Sequence, residues 1–465
     1  MRLLLFIFYA SFSLIAQNNP LYLDSNADIE DRLSDLMARM TLEEKVAQMC
    51  QYVGLEHMKK AEKSISAEEL IGNDALGFYK NLHSSQVAQM VVDGKIGSFL
   101  HVKTAEESNY LQSLAEKSRL KIPLIIGIDA IHGNALVSGT TVYPTPINMA
   151  ASFDNYYPYQ IARETAIEMR ATGSHWSFTP NIDVMRDPRW GRVGETFGED
   201  PFLVGEMGVA MINGFQQGDY TGIDKVIACA KHMIGGGEPI NGLNASPMDV
   251  SERTLYEIHL PPYKKAIDAG VYSIMAAHNE LNGIPCHMHK ELMTDVFRGE
   301  WNFDGFYVSD WMDIERIEKL HRVAENFKEA SFLSVDAGMD MHMHGPHFLE
   351  NIVELVKEGR ISIDRVNEAS EKILRAKFKL GLFENRYVDL TKVDNLIFTK
   401  QHKQTALDAA RHSITLLKNK DGILPLKKAN KKIFVTGPNA NNPTILGDWH
   451  FEQPEQNVIT IYEGI

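Results

Sequence analysis

The sequence predicts an α/β fold: a barrel of the (β/α)8 type followed by the start of a second α/β sandwich domain. Three observations lead to this prediction. Short apolar runs alternate with helical stretches, polar residues stand at the ends of these runs, and no GxGxxG pattern follows a strand. Runs that are apolar throughout and separated by helices are typical of parallel strands buried on both faces. Six such units over roughly 300 residues fit a barrel better than a dinucleotide-binding sheet.

The predicted elements come in the order that such a barrel requires. At the start, Thr41 and Glu44 have the spacing of a helix capping box, and the stretch 31–40 has an amphipathic pattern. Two scaffold helices are therefore expected there. Each later apolar run has the length of a barrel strand and precedes a helical stretch. The predicted strands are 95–102, 123–130, 175–183, 225–232, 272–279 and 305–311.

Polar side chains stand at the ends of most of the predicted strands. Barrel enzymes place their active-site groups at the carboxyl ends of the strands. Any one of these residues could begin a loop or cap a helix, but chance would scatter five such positions along the runs. The strand ends therefore predict an active site. The residues are Asp129, Asp183, Lys231 with His232, Asn279 and Asp310.

The length of the chain indicates two domains, because 465 residues exceed what one ordinary core accommodates. At the N-terminus, one arginine precedes an apolar run, the layout of a secretory signal cleaved near Ala16, so export to the periplasm or out of the cell is expected. Near the C-terminus, 432–438 is a predicted strand of a second unit that is short for an α/β domain. The predicted boundaries are 1–16 for the signal peptide, 30–385 for the barrel, 386–414 for a linker and 415–465 for the apparently incomplete second domain.

The composition is that of a globular protein and excludes several kinds of partner. Hydrophobic residues make up 44% and charged residues 23%, with no membrane-spanning run after the N-terminus. The formal net charge of -14 and the lack of a dense Lys/Arg block argue against a nucleic-acid partner, whereas a neutral sugar is compatible with both. Three scattered cysteines, Cys50, Cys229 and Cys286, predict buried thiols and no disulfide framework.

Known motifs for metal, phosphate or serine chemistry are missing from the sequence. The segment 339–347 supplies His342, His344 and His347, but no HExxH or Cys/His spacing accompanies them, so solvated loop histidines at the barrel rim are expected. No GxSxG elbow or P-loop occurs either. No metal and no cofactor are expected. The remaining carboxylates with lysine, histidine and arginine suit binding of sugar hydroxyls and attack on an electrophilic carbon.

Several stretches, taken in order, resemble the glycoside hydrolase family 3 enzymes, the exo-acting β-glucosidases and their relatives. The resemblance runs from about residue 30 to the end and depends on "GIDAIHG", "FTPNIDVMRDPRWGRVGETFGEDPFL", "ACAKHMIGGG", "GFYVSDW", "ILRAKFKLGLF" and "SITLLKNKDGILPL". It implies a retaining double displacement through a covalent glycosyl-enzyme, with Asp310 as the nucleophile. Neighbouring cations such as Lys231 and Arg192 are expected to keep a carboxylate there ionised.

The resemblance also implies which residues bind substrate and where the acid/base lies. Trp311 is similar to the aromatic residue that lines the next subsite, although a packing residue at the barrel top would look the same. The acid/base of the family's β-glucosidases comes from the second domain, after the "GPNA" strand, and is expected not to lie in this chain. The groups that match those holding the sugar at the reacting subsite are Asp129, Arg192, Lys231 and His232.

Departures from the family pattern leave the sugar specificity open. Gly236 stands where an aspartate is common, Ala245 where an acidic residue occurs, and His278, a further expected substrate-binding residue, where a tyrosine is frequent. The expected function is hydrolysis of terminal non-reducing β-D-glucosyl residues from β-glucosides or β-gluco-oligosaccharides. Two alternatives stay open: a β-xylosidase or other family 3 exo-glycosidase, and a truncated or non-catalytic sugar-binding barrel without its acid/base. The β-N-acetylglucosaminidase branch is disfavoured, because "KHMIGGGEP" lacks the histidine of its acid/base loop.

Overall fold

A computed structural model of the chain describes residues 20–64, 79, 82–426 and 432–465. The predicted signal peptide, 1–16, lies outside these residues. Among the described helices, none combines the length and the apolar character needed to cross a bilayer.

Eight parallel segments form a ring, and the predicted (β/α)8-type barrel is confirmed. Four strands pair side by side in chain order, and three later strands do the same. Isolated parallel bridges between Trp176 and Ile227 and between Cys50 and His342 join the two groups, with Met341 pairing Val308. The strands are β1 (Gln51–Val53), β2 (Ser98–Leu100), β3 (Ile125–Ile128), β4 (Trp176–Ser177), β5 (Cys229–Met233), β6 (Ser273–Ala276), the hairpin β7 (Glu280–Leu281) with β8 (Ile284–Pro285), and β9 (Phe306–Val308).

The closing segment of the ring corrects one sequence prediction. Residues 341–342 take the eighth position of the barrel, and His342 and His344 are fully buried, not solvated loop histidines. One ring nitrogen of each has a partner: His342 Nε2 lies 3.0 Å from Glu315, and His344 Nδ1 lies 2.8 Å from the Tyr79 hydroxyl. A buried polar ring is tolerated when it is hydrogen-bonded, so histidine can occupy a strand that is covered on both faces. His347 is exposed, as predicted.

Helices cover the outside of the ring, and the capping signals in the sequence mark where they begin. Thr41 accepts a hydrogen bond from the Glu44 backbone at 3.2 Å, and Glu44 accepts one from the Thr41 backbone at 2.9 Å, which confirms the predicted capping box. Two further segments, Leu255–His259 and Glu291–Glu300, are π-helical. The α-helices are α1 (Ile29–Arg39), α2 (Leu42–Gln48), α3 (Leu55–Ser64), α4 (Ser84–Val92), α5 (Ala105–Ala115), α6 (Pro146–Ala151), α7 (Tyr156–Ala171), α8 (Pro201–Gln216), α9 (Glu252–Thr254), α10 (Pro261–Asp268), α11 (Asp313–Lys319), α12 (Phe327–Ala337), α13 (Phe348–Lys357), α14 (Ile363–Lys379), α15 (Val393–Leu396), α16 (Lys400–Ser413) and α17 (Ile461–Gly464).

Aromatic side chains fill the inside of the ring beneath the site. The Trp176 ring lies edge-on to Phe178 at 4.7 Å and to Phe306 at 4.9 Å, and all three residues are fully buried. Gly127 makes room for this layer, because a Cβ at that position would come within 2.3 Å of the Phe178 ring. Large side chains packed in this way give the residues above them a rigid floor. The three cysteines are buried and free, as predicted.

The C-terminal stretch contacts the barrel through loops. Within 414–426 and 432–465 the structure has no strand, so the predicted strand 432–438 is not formed. A strand needs a neighbouring strand to take up its backbone hydrogen bonds, and none of the described residues supplies one there. One part of the stretch does pack on the barrel: the Phe451 backbone donates to Ala135 at 3.0 Å, and Gln453 accepts from the Gly139 backbone at 2.9 Å. The exact domain boundaries stay a prediction.

Candidate active site

A large cavity of about 960 Å³ opens at the carboxyl ends of the barrel strands. Asp183 and Asn279, which also end predicted strands, do not line it; Asp183 lies behind His232, and Asn279 donates to a backbone carbonyl. The other predicted residues come together at the cavity, although these residues are spread over more than 180 positions of the chain. Those lining the cavity are Asp129, Arg192, Lys231, His232, His278, Asp310 and Trp311.

Asp310 stands two residues beyond β9 and is held from both sides of its carboxylate. The Trp311 backbone donates to Oδ1 at 2.6 Å, and His278 Nε2 lies 3.1 Å from Oδ2. The Asp310 backbone donates in turn to His287 Nε2 at 2.9 Å. Burial lowers the pKa of His287 to about 4, so its ring is neutral and can accept that bond. The carboxylate is therefore oriented before any ligand binds.

His278 joins Asp310 to a second carboxylate, Asp313, at the start of α11. Its Nδ1 lies 2.6 Å from Asp313 Oδ2, so the ring bridges two acids. Burial alone would lower the pKa of His278, but Asp310 and Asp313 outweigh it and raise the pKa above the usual range. Burial would raise the pKa of Asp313, yet His278 and His287 hold it below its usual range. The bridging ring is thus favoured as an imidazolium that donates to both acids.

Asp129 and Lys231 also line the cavity and form a buried ion pair. Lys231 Nζ lies 2.5 Å from Asp129 Oδ1, and His101 Nε2 lies 2.8 Å from Oδ2. Burial would raise the pKa of Asp129, but the attraction of Lys231 and His101 is larger and holds it well below its usual range. Asp129 is therefore a fixed carboxylate that can accept hydrogen bonds from a ligand, not a group that releases a proton.

Arg192 reaches the cavity from the loop after β4. It is held by Glu195 through two hydrogen bonds of 2.8 and 2.9 Å, and it donates to His232 Nε2 at 3.0 Å. His232 Nδ1 donates to Asp183 at 2.8 Å. Burial raises the pKa of Asp183 to about 7 and lowers the pKa of His232 well below its usual range. A neutral His232 with its proton on Nδ1 satisfies both contacts.

Aromatic rings form the outer walls of the cavity. Trp311 lies edge-on to His344 at 4.3 Å and also faces His101 at 6.0 Å, so it both lines the cavity and packs on the barrel top. From the C-terminal stretch, Trp449 lies with its ring 5.4 Å from Lys231 Nζ, and Phe451 lines the cavity beside it. Flat apolar faces above hydrogen-bonding groups are well suited to a sugar ring.

One group of the described residues meets the geometric needs of a metal ion. His278, Asp310 and Asp313 each place one ligand atom within 4.8 Å of the others. These groups are already paired, because the imidazole bridges the two carboxylates, and the arrangement is complete without an ion. The expectation that no metal and no cofactor take part stays a prediction.

Several residues of the site were not predicted from the sequence, for different reasons. His101 ends the predicted strand 95–102, so the strand-end rule would have found it. Asp313 and His287 act through their contacts with other residues, and no spacing in the sequence indicates those contacts. Trp449 follows Asp310 by more than 130 residues and lies in a stretch without regular structure, so only the folded chain shows that it lines the cavity.

Comparison with known proteins agrees with the resemblance seen in the sequence. Residues 41–376 match the Glycosyl hydrolase family 3 N terminal domain, and residues 414–465 match the Glycosyl hydrolase family 3 C-terminal domain. The chain is 37% identical to a β-xylosidase of Formosa agariphila over 393 residues, which cover 80% of this chain and 53% of that protein. It is 31% identical to a periplasmic β-glucosidase of Salmonella typhimurium over 441 residues, covering 93% of this chain and 54% of that one.

Solved structures give the same result. A β-glucosidase from Listeria innocua superimposes with a TM-score of 0.81 and 35% identity, over 94% of this chain and 58% of the other. The chain thus spans about half the length of the curated relatives named above. Both the barrel match and the relatives point to one conclusion: the chain belongs to glycosyl hydrolase family 3.

Proposed function

We propose that the protein is a retaining exo-β-glycosidase that removes terminal non-reducing β-D-glucosyl residues from β-glucosides or β-gluco-oligosaccharides, with Asp310 as its nucleophile. The observation that carries the proposal is the orientation of Asp310 at the floor of the cavity by Trp311 and His278. The β-glucosidases among the similar proteins support the choice of sugar.

The proposed first step is attack by an Asp310 oxygen on the anomeric carbon. The bond from that carbon to the leaving oxygen breaks, and a covalent glycosyl-enzyme forms. In the second step a water attacks the same carbon and gives up a proton to the group that protonated the leaving oxygen, which releases the sugar with its original configuration and frees the carboxylate. Two inversions at one carbon give net retention.

The hydroxyls of the terminal sugar have matching partners on the cavity wall. The Asp129 carboxylate accepts hydrogen bonds, whereas the ammonium of Lys231 and the guanidinium of Arg192 donate them. Each charge is already neutralised by a neighbour, so the wall can bind a neutral sugar without leaving a buried charge unpaired.

The acid that protonates the leaving oxygen is proposed to come from outside the described part of the cavity wall. A retaining enzyme needs a second carboxyl group roughly 5 to 5.5 Å from the first. Within the described residues, Asp129 is the other carboxylate that lines the cavity. Because Lys231 and His101 keep it ionised, it is not suited to donate a proton.

Substitution of Asp310 tests the proposal directly. Asp310→Ala is expected to lower kcat/KM for an activated aryl β-D-glucoside by on the order of a thousandfold or more, because the covalent step is lost. Activated aryl leaving groups need little acid assistance, so the assay reports the nucleophile. Asp336→Ala, an exposed surface carboxylate paired with Lys290, serves as the matched control. Equal turnover by wild type and Asp310→Ala would disprove the assignment.

A second candidate is a β-xylosidase, favoured by the 37% identity to the Formosa agariphila protein. The two substrates differ by the hydroxymethyl group at C5 of the terminal sugar. Matched aryl β-D-glucoside and β-D-xyloside decide between them: a ratio of kcat/KM of roughly tenfold or more in favour of one sugar identifies it.

We further propose that the protein is exported. The arginine and apolar run of the first residues support this, as does the relative named a periplasmic β-glucosidase. N-terminal sequencing of the protein from its native host is expected to begin just after Ala16; an intact Met1 would contradict export.

A further inference from the structure

Charges in and around the cavity are mostly paired, and two lysines stand apart. Four carboxylates in and around the cavity each have a cation or histidine partner: Asp129, Asp310, Glu195 and Asp313. Lys319 lines the cavity at its exposed rim and forms no ion pair with the described residues. Lys103, three residues beyond β2, also has no carboxylate within ion-pair distance in the described part of the chain.

Lys103 is the more unusual of the two, because it is partly buried. Its Nζ lies 3.4 Å from His57 Nδ1 and 3.7 Å from the centre of the Phe451 ring, and both of these residues line the cavity. Burial and the neighbouring Lys60 lower the pKa of Lys103 to about 8, with only a weak opposing effect of Glu107. A cation in such a place lacks the counter-charge that usually accompanies burial.

The position of Lys103 indicates which part of a substrate it would meet. Two residues before it, His101 contacts Asp129, which is proposed to bind the terminal sugar, and its ring also faces Trp311 at the outer part of the cavity. The chain therefore runs here from the part of the cavity that binds the terminal sugar to its outer part. An exo-acting site holds its terminal sugar at the closed end. A substrate group that lies near Lys103 would then belong to the leaving group and not to the terminal sugar.

We propose that the outer part of the cavity is a subsite for a negatively charged substituent, a carboxylate or a sulfate, carried by the leaving-group side of the substrate and bound by Lys103. The proposal rests on the glycosidase function proposed above and adds a substrate class to it. The overall charge of -14 would repel an anion at long range, but this field is screened beyond about 8 Å at physiological ionic strength. A local ammonium can therefore decide the preference.

The test compares charged and neutral leaving groups on the same sugar. Wild type is assayed with the β-D-glucosides of 4-hydroxybenzoate, of 4-hydroxybenzenesulfonate and of 4-hydroxybenzamide. The expected result is a kcat/KM about tenfold higher for at least one anion than for the amide, the size of one charge-assisted hydrogen bond. The carboxylate and sulfonate arms distinguish the two kinds of anion. A wild-type ratio of one for both anions would overturn the proposal.

Two variants show whether the preference comes from Lys103 itself. Lys103→Met keeps an unbranched stem against Phe451 and is expected to abolish the preference for the anion while leaving turnover of the neutral amide within about twofold. Lys319→Met is the matched control at the rim and is expected to retain the preference. If both variants lost the anion preference equally, the preference would come from a diffuse potential and not from a subsite. If Lys103→Met lost kcat/KM equally for charged and neutral substrates, Lys103 would have a packing role. Either result would overturn the proposal.

The readout also works without turnover. Quenching of tryptophan fluorescence by the corresponding thioglucosides, which are not hydrolysed, measures binding of the charged and neutral ligands. If no glucoside were cleaved, the glycosidase proposal would fail, yet the ratio of the two dissociation constants would still support the anion subsite or contradict it.

Discussion

At the scale of single residues, His278 is the side chain whose role changed most between sequence and structure. From the sequence it was a substrate-binding residue that departs from a frequent tyrosine. In the structure it lines the cavity and also bridges Asp310 and Asp313, so its contact with the proposed nucleophile is direct. Positioning of Asp310 by its ring follows from that contact.

His278→Phe is expected to lower kcat/KM by about tenfold, because it removes the donor to Asp310 and the partner of Asp313. His278→Tyr restores a hydroxyl donor and is expected to recover part of that loss. Kinetics with an activated aryl glucoside measure both variants. Wild-type activity in His278→Phe would show that the bridge does not position Asp310.

The raised pKa of His278 also predicts a pH dependence of stability. The imidazolium of His278 contributes fully to the free energy of unfolding at a pH below the pKa of the unfolded state, near 6.5. This contribution is lost as the pH rises through the higher pKa of the folded state. The difference in free energy of unfolding between wild type and His278→Phe should therefore shrink above neutral pH. Urea unfolding at pH 6 and pH 9 measures it, and a constant difference would contradict the assignment.

At the scale of elements, the order and approximate position of most strands could be predicted, and their exact bounds could not. All six predicted runs extend beyond the observed strand by two or more residues at one end at least, and β1 was missed. The eighth barrel segment was taken for a loop, since "MDMHMHGPH" contains polar rings at alternate positions. Burial of those rings depends on partners such as Glu315, which come from a different part of the chain.

The buried pair in that segment gives a prediction at the same scale. His342→Leu removes the partner of Glu315, which is only 6% exposed, and is expected to cost about 3 kcal/mol of folding free energy. Replacing both residues with leucine should recover much of this loss, because no buried charge then lacks a partner. His347→Asn is the control: His347 is exposed and five residues away, and asparagine tolerates its left-handed backbone at φ 76°, so stability should change by less than about 0.5 kcal/mol. Urea unfolding measures all four proteins, and an effect of His347→Asn as large as that of His342→Leu would contradict a stabilising role of the buried pair.

At the scale of the whole molecule, the last barrel helix is tied to the first elements by a buried lysine. Lys377 of α14 donates to Gln48 at 2.6 Å and to the Gly97 carbonyl at 2.8 Å. Burial lowers its pKa to about 7, below the unfolded value near 10.4. Between these two values the unfolded chain binds more protons than the folded one, so this group makes stability rise with pH.

Lys377→Met should therefore remove a pH-dependent part of stability. The variant lacks the charge and also the two hydrogen bonds, so a fixed loss is expected at every pH. In addition, the free energy of unfolding of the wild type should rise relative to that of the variant by about 1 kcal/mol or more between pH 7 and pH 9. Urea unfolding of both proteins at the two pH values provides the measurement. A difference that does not change with pH would show that Lys377 keeps its ordinary pKa.

The sequence by itself determined the barrel, the strand ends at which Asp129, Lys231 and Asp310 stand, and the family. The length, the order and the ends of the apolar runs can be read directly from the sequence, and so can the short motifs that identify the family. Tertiary structure alone decided which charges pair, how His278 bridges two acids and that Trp449 reaches the cavity. The physical reason is distance: a hydrogen bond or ion pair depends on a few ångströms between residues far apart in the chain, and only the packing of the whole barrel sets those separations.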